Sequence, residues 1–454
     1  MKVATIALAT LSAPLVLGVQ AAFSPIGTRR GGESPARVAE VTYTKHVAPI
    51  LQAKCQSCHQ PNSIAPMSLL TYEDATSYAR EIKDNVSARR MPPWHIDKTV
   101  GIQAFKNDRG LSDEQIATIV KWIDAGTPRG DAKDLPPAAT FPDPRRWELA
   151  ERFGAPDVVV RSQPFTVGVD GQDKWWRPVT ATGISEPRWV RAIEIKPVNP
   201  LAKKVVHHVL ASLLQAEDGV TGLAHEAHGA QASAGLFMEW AVGKTGQIFP
   251  GDAGKLLLPD SRILWEIHTH ANGERFTNEA VELAIYLYPK GYVPAHRTVL
   301  RFFDVSQGAE LDIPPNAMAT TEHAYVLAAP ARLENFQPHM HMRGKVMTLE
   351  AILPDGQKRL LSRVSNFQWN WHVNYVYADS VAPLLPKGTT LRFTALHDNT
   401  ADNPNNPDPR QWVGWGDRTV DEMAHCWIDV TYLDQAEFDR LVTERKASTR
   451  MGSR

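Results

Sequence analysis

From residue 156 to residue 440 the chain reads as one short strand after another, and that run limits what it can fold into. The candidates are Asp157 to Val160, Trp189 to Val198, Val205 to Leu214, Ile263 to His270, Val281 to Tyr288, Val299 to Val305, Lys345 to Leu353, Thr390 to Leu396 and Met423 to Leu433. Turn residues punctuate them at intervals, and almost no segment between them repeats with a helical period. The pattern predicts β-sandwich architecture. It is too long for one ordinary sandwich, so two are expected, over 156–292 and 293–440, with the change near Gly291 to Thr298. A polar tail over 441–454 should follow them.

The N-terminal part has a different character. Thr42 to Lys54, Thr71 to Arg90 and Ser112 to Gly126 carry helical signals. Ser112 and Gln115 form a capping box, and Ile116, Ile119, Val120 and Ile123 repeat at helical spacing. The expected fold class is therefore multidomain: a small all-α domain over 40–130, a Pro-rich linker over 131–155, then two all-β sandwich domains. Ahead of these, Lys2, the apolar run Ala4 to Val19 and Val19-Gln20-Ala21 read as a signal peptide over 1–21, followed by a linker over 22–39. An uncleaved anchor is the other reading of that run, which is short for a membrane span. Stable membrane insertion is not expected, and the protein should reside in the periplasm or be secreted.

Lys and Arg number 49 against 50 Asp and Glu, so the sequence offers no electrostatic footprint for nucleic acid. Its cysteines are Cys55, Cys58 and Cys426, too few for a disulfide framework. Two of them lie in Cys55-Gln56-Ser57-Cys58-His59, the attachment pattern of c-type haem, where two thiols form thioethers and the histidine ligates iron. A zinc site would need further ligands at partner spacing, and a redox dithiol would favour a βαβ context. Met91, before the helix-stopping Pro92 and Pro93, is the best second axial ligand, with Met67 and His95 as rivals. Methionine ligation raises the potential and suits electron transfer rather than oxygen activation. This region resembles class I cytochrome c.

The strand region carries His207-His208, His268-Thr269-His270, His339-Met340-His341 and Met423. Alternate residues of a strand share a face, so His339 and His341 project together and so do His268 and His270. Adjacent His207 and His208 need a bulge or a strand end to converge. Imidazole suits copper, and a thioether favours Cu(I). Each pair taken alone is equally compatible with hydrogen-bonded core or surface histidines. His225 and His228 read as surface loop residues, and Trp369, Trp371 and His372 as core or substrate pocket.

These groups, in this order and together with Pro338-His339-Met340-His341-Met342-Arg343-Gly344-Lys345-Val346, Leu385-Pro386-Lys387-Gly388 and Asp421-Glu422-Met423, resemble the type II ascorbate-dependent copper monooxygenases. Peptidylglycine α-hydroxylating and dopamine β-monooxygenases typify that family. The resemblance implies two jelly-roll domains holding two copper ions across a solvent-filled cleft. His207, His208 and His268 would bind the electron-transfer copper. His339, His341 and Met423 would be catalytic, binding the copper that meets O2 and a small-molecule or peptide substrate. It also implies hydroxylation of a C–H bond, with electrons from a redox protein or an ascorbate-like reductant. The haem motif is foreign to that family and adds one covalent haem, with Cys55, Cys58, His59 and Met91 binding it, as an electron entry. His270 would be a partner or an alternative to His268, and His425 shares the strand face of Met423. Two further readings are a non-enzymatic haem–copper electron carrier and a peroxidase at the haem.

Overall fold

A computed structural model describes residues 41–215, 234–241, 243–244, 246–304 and 311–452. The expected signal peptide and the linker that follows it lie outside the described residues, as do His225 and His228. Each of the nine strand candidates is a strand: Val158–Arg161, Arg188–Pro197, Val206–Leu214, Arg262–Thr269, Val281–Leu287, His296–Asp304, Gly344–Ile352, Thr390–Asp398 and Ala424–Tyr432.

The strands build two sandwiches that share a sheet. The shared sheet has 11 strands, and its main path runs Val158–Arg161, Val281–Leu287, Arg188–Pro197, Ala253–Leu257, His296–Asp304, Ala424–Tyr432, Ala331–Leu333 and Leu384–Leu385. Its halves join at one parallel pairing, His296 to Ala253 and Arg297 to Gly254. A five-stranded sheet containing Val206–Leu214, Arg262–Thr269 and Ala234–Ala241 covers the first half. A four-stranded sheet containing Met318–Val326, Thr390–Asp398, Gly344–Ile352 and Lys358–Val364 covers the second.

Side-chain alternation explains where the site lies. All nine residues of Ala424–Tyr432 are buried, because the strand has apolar core on one side and the other half of the molecule on the other. Ala424, Cys426, Ile428, Val430 and Tyr432 enter the second core. His425, Trp427 and Asp429 alternate with them and so face the opposite way. Asn335–Met340 behaves likewise: Phe336 and Met340 enter the core, and Gln337 reaches Glu239 of the first half at 2.5 Å. Cys426 is a free, buried thiol, so packing rather than a disulfide holds this region.

The expected sandwiches fit, but the expectation of a small all-α, cytochrome-like domain ahead of them is overturned. Among the described residues strand outweighs helix, 36% against 17%, and residues from Val41 onward form a single compact unit. The helices Ala48–Lys54, Tyr72–Ser77, Ala79–Ser87 and Asp113–Asp124 do share a small cluster around Leu51, Ile119 and Trp122. The segment between the last two, however, leaves it for the second sandwich. Trp94 and Ile96 are members of that core, Trp94 packs edge-on to Tyr375 at 4.8 Å, and Asp97 and Ile102 donate backbone hydrogen bonds to Arg363 and Leu361. Helical periodicity locates helices but not the partner that a loop between them will find. Trp94→Ala should cost about 3–5 kcal/mol, and urea unfolding followed by helical and strand signals should give one shared transition. Separate transitions would mean that the helices fold alone.

The sequence reads as a polar tail after residue 440, yet Gln435–Gly452 is a helix. Arg440 pairs with Glu437 and Glu444 along it, and Arg445 donates to the Ala382 carbonyl at 2.6 Å, which ties it to the sheet. No helix of the described residues is long and apolar enough to cross a membrane.

Candidate metal centre

Cys55 follows the helix Ala48–Lys54, and the chain then coils tightly, with Cys58 and His59 amides donating to the Cys55 carbonyl at 3.1 and 3.0 Å. Both cysteines and His59 thereby line one cavity, which Met91 also lines. The His59 Nδ1 lies 3.3 Å from the Met67 carbonyl. A carbonyl can only accept, so Nδ1 carries the proton and Nε2 keeps its lone pair for a metal. Burial pushes the Cys55 thiol up to about 12, the reverse of what a thiolate ligand or a reactive dithiol requires. Of the two residues expected as rivals to Met91, Met67 lends its carbonyl to His59, and the backbone N–H of His95 donates to the Tyr375 hydroxyl within the sandwich packing.

The three-histidine group is assembled by an irregularity in the sheet. His268 pairs with His208, but the next residue, Thr269, pairs with Val206, so His207 is the extra residue of a bulge. The bulge lets neighbouring histidines converge. The Nδ1 atoms of His207, His208 and His268 stand 3.3 Å apart in every pair. Each Nδ1 is either donor or acceptor, so three of them cannot all be satisfied by one another. A cation resolves the conflict: the centre of such a triangle lies about 1.9 Å from each corner, close to the ~2.0–2.1 Å of a metal–imidazole bond. Asp173 fixes the tautomer, accepting from His268 Nε2 at 3.0 Å and leaving Nδ1 free for a metal. It also accepts from His270 at 2.6 Å, and hydrogen bonds from the two rings hold its carboxyl far below the usual range. His270 is exposed and stands outside the triangle. Trp175 stacks on His268 at 4.5 Å.

His339 pairs across the sheet with His425, and Met340 with Ala424. His341 and Met423 follow on the two facing segments. The Met423 carbonyl accepts from His397 Nε2 at 3.2 Å, and His341 Nδ1 donates to the Asp421 carbonyl at 3.2 Å. The turn carrying His341 is clamped by buried Glu422, which accepts from the His341 and Arg343 amides at 3.0 and 2.6 Å. Burial raises its carboxyl to about 8.

The resemblance places the two metal groups across a solvent-filled cleft. Here they abut, with the His208 and His339 rings 6.3 Å apart and His372 between them. Burial lowers His207 and His341 to about 4, and His208, His339 and His372 well below the ordinary imidazole value. The rings therefore stand neutral, the form that binds a metal. Several buried ring nitrogens have no hydrogen-bond partner: His339 Nδ1, His425 Nδ1 and both nitrogens of His372. Unpaired polar atoms in a dry interior are costly, and these nitrogens fit the ligands of a metal ion. His425 and His372 were visible in the sequence only as a strand-face neighbour of Met423 and as a possible pocket residue. Asp173, in Asp170-Gly171-Gln172-Asp173, gave no signal.

A cavity of about 950 Å³ joins the Cys55–His59 segment to His207 of the triangle. Cys55, Cys58, His59 and Met91 line one part of it, and Asp173, Trp175, His207 and His372 line another. It is at the upper end of the roughly 300–1,000 Å³ usual for cofactor pockets.

No family model matches this chain, and no curated protein matches it. Among solved structures, an infectious bursal disease viral particle is 11% identical over 61% of this chain and 68% of its own, with a TM-score of 0.19. An allantoicase is 11% identical over 51% and 79%, with a TM-score of 0.15. Likeness at that level carries no argument about fold or function.

Proposed function

We propose that this protein is an exported copper-dependent monooxygenase, related to the type II family, that hydroxylates a C–H bond with O2 and receives electrons through a covalently attached c-type haem. The observation that carries the reading is the shared cavity, where Cys55, Cys58, His59 and Met91 open onto the same space as His207, one corner of the triangle that His207 forms with His208 and His268. Cys55 and Cys58 would tether the haem, and His59 and Met91 would ligate it. The triangle would hold one copper, and His339, His341 and Met423 the other. Bound copper and haem would supply the one-electron redox chemistry and the reduction of O2 that the protein's side chains cannot.

The residues contribute orientation and exclusion of water. Asp173 keeps His268 in the tautomer with Nδ1 free, and Glu422 and Asp421 fix the turn and ring of His341. Net reaction joins one oxygen atom to the substrate carbon and releases the other as water, using two electrons and two protons beyond the C–H bond. The donor would be an external redox protein or a small reductant, and the substrate a small molecule or peptide met outside the cytoplasm.

Copper and haem iron measured in the copper-reconstituted protein should give two coppers and one haem, and His339→Ala should lose one copper and keep the haem. Copper content indifferent to His339 would remove the reading. The burial of His339, 3% exposed, and of His372, 7% exposed, favours a second possibility, a non-enzymatic haem–copper electron carrier. Substrate-dependent oxygen uptake separates the two, since a carrier shows none.

A further inference from the structure

We infer that His372 is a ligand of the metal held at His339, an imidazole outside the two-histidine, one-methionine set; this rests on the two-copper reading above. His372 lies in the stretch between the strands Lys358–Val364 and Tyr375–Val376. That stretch is pinned at both ends. The Phe367 amide donates to the Lys345 carbonyl at 3.0 Å, and Asn374 accepts from Asn335 Nδ2 at 2.7 Å and from Asn107 Nδ2 at 2.7 Å. Position is therefore imposed on His372.

That position is unusual for a structural histidine. Its ring is 4.3 Å from His339, nearer than its 5.0 and 5.1 Å to His207 and His208. Both its nitrogens are buried without a partner. A neutral imidazole carries a proton on one nitrogen and a lone pair on the other, so a buried histidine ordinarily satisfies at least one of them. The Nδ1 atoms of its neighbours His339 and His425 are equally unpartnered. His339 lies between the other two rings, 4.3 Å from His372 and 4.6 Å from His425. No carboxylate or hydroxyl of the described residues completes them. A borderline or soft metal ion accepts imidazole nitrogen, and Cu(I) is the probe of choice.

The test uses the full haem-bearing chain, dialysed anaerobically against a series of buffered Cu(I) concentrations, with bound copper measured directly. His207→Ala/His268→Ala dismantles the triangle and should leave one copper. Adding His372→Ala should weaken that remaining copper at least ~10-fold, since even residues that only orient a ligand are worth about 10–100-fold in affinity. Adding His372→Met, which fills the same space and offers a thioether, should keep Cu(I) within a few fold and remove one nitrogen coupling from the Cu(II) electron paramagnetic resonance spectrum. A residue that only packs would leave that spectrum unchanged. Unaltered affinity in both variants, or a loss confined to the triangle copper when His372 alone is replaced, overturns the assignment and leaves the two-copper reading standing. A wild-type chain that takes up no second copper overturns both.

Discussion

Replacing Met423 by isoleucine is expected to stop product formation while the haem spectrum and the copper of the triangle stay as they are. Isoleucine is apolar and close to methionine in size, so it removes the thioether with little change in volume. Met423 is half-buried just ahead of Ala424–Tyr432, and its backbone is held by His397 donating to its carbonyl. Its side chain is not a member of the buried core of the second sandwich. In the proposed enzyme that sulfur favours the reduced copper, and two imidazoles alone would hold Cu(I) less well. Turnover should fall at least ~10³-fold, about 4 kcal/mol of lost transition-state stabilisation. The check is substrate-dependent oxygen uptake and product yield, measured beside copper and haem content. Unchanged turnover would show that Met423 does not serve the reacting centre. If His372 supplies a nitrogen there, copper should remain partly bound in the variant, so loss of activity and loss of metal would separate.

What could be read in the sequence was what is local. Strand-forming runs set off by turn residues located nine strands, and the Ser112 and Gln115 capping box appears as expected, with the helix starting at Asp113. Adjacent His207 and His208 demanded a bulge or a strand end, and the register slips at His207. What could not be read depends on which distant surfaces meet. Trp94 is followed by a loop that a helical pattern leaves free, yet it packs on Tyr375, far along the chain. Nothing near Asp173 marks it as the partner of His268 and His270, because that pairing exists only once Lys174–Trp176 lies beside Arg262–Thr269. The closeness of the two histidine groups has the same origin. Residues such as His425 and Gln337 are buried on a face that sequence alternation would assign to solvent. They turn inward because both halves of the molecule share one sheet and press on it from either side.

In the proposed enzyme, Cys55→Ser/Cys58→Ser should reduce covalently bound haem from one per chain to none detectable in haem-stained denaturing gels, and should leave triangle copper unchanged. Serine keeps the size and the hydrogen-bonding turn, in which the Cys58 and His59 amides donate to the carbonyl of residue 55. It cannot form a thioether, so any haem left is held by His59 and Met91 alone and is lost on denaturation. The effect on turnover distinguishes the haem's roles. If the haem is the entry for electrons, activity driven by a redox-protein donor should vanish. Activity driven by a small reductant should survive, because removing the haem leaves the cavity of about 950 Å³ as a direct way to His207 and the triangle. Equal loss with both donors would give the haem a structural role, holding the cavity walls in place. Full activity with the redox-protein donor would remove the haem from the electron path and return the chemistry to the copper sites alone.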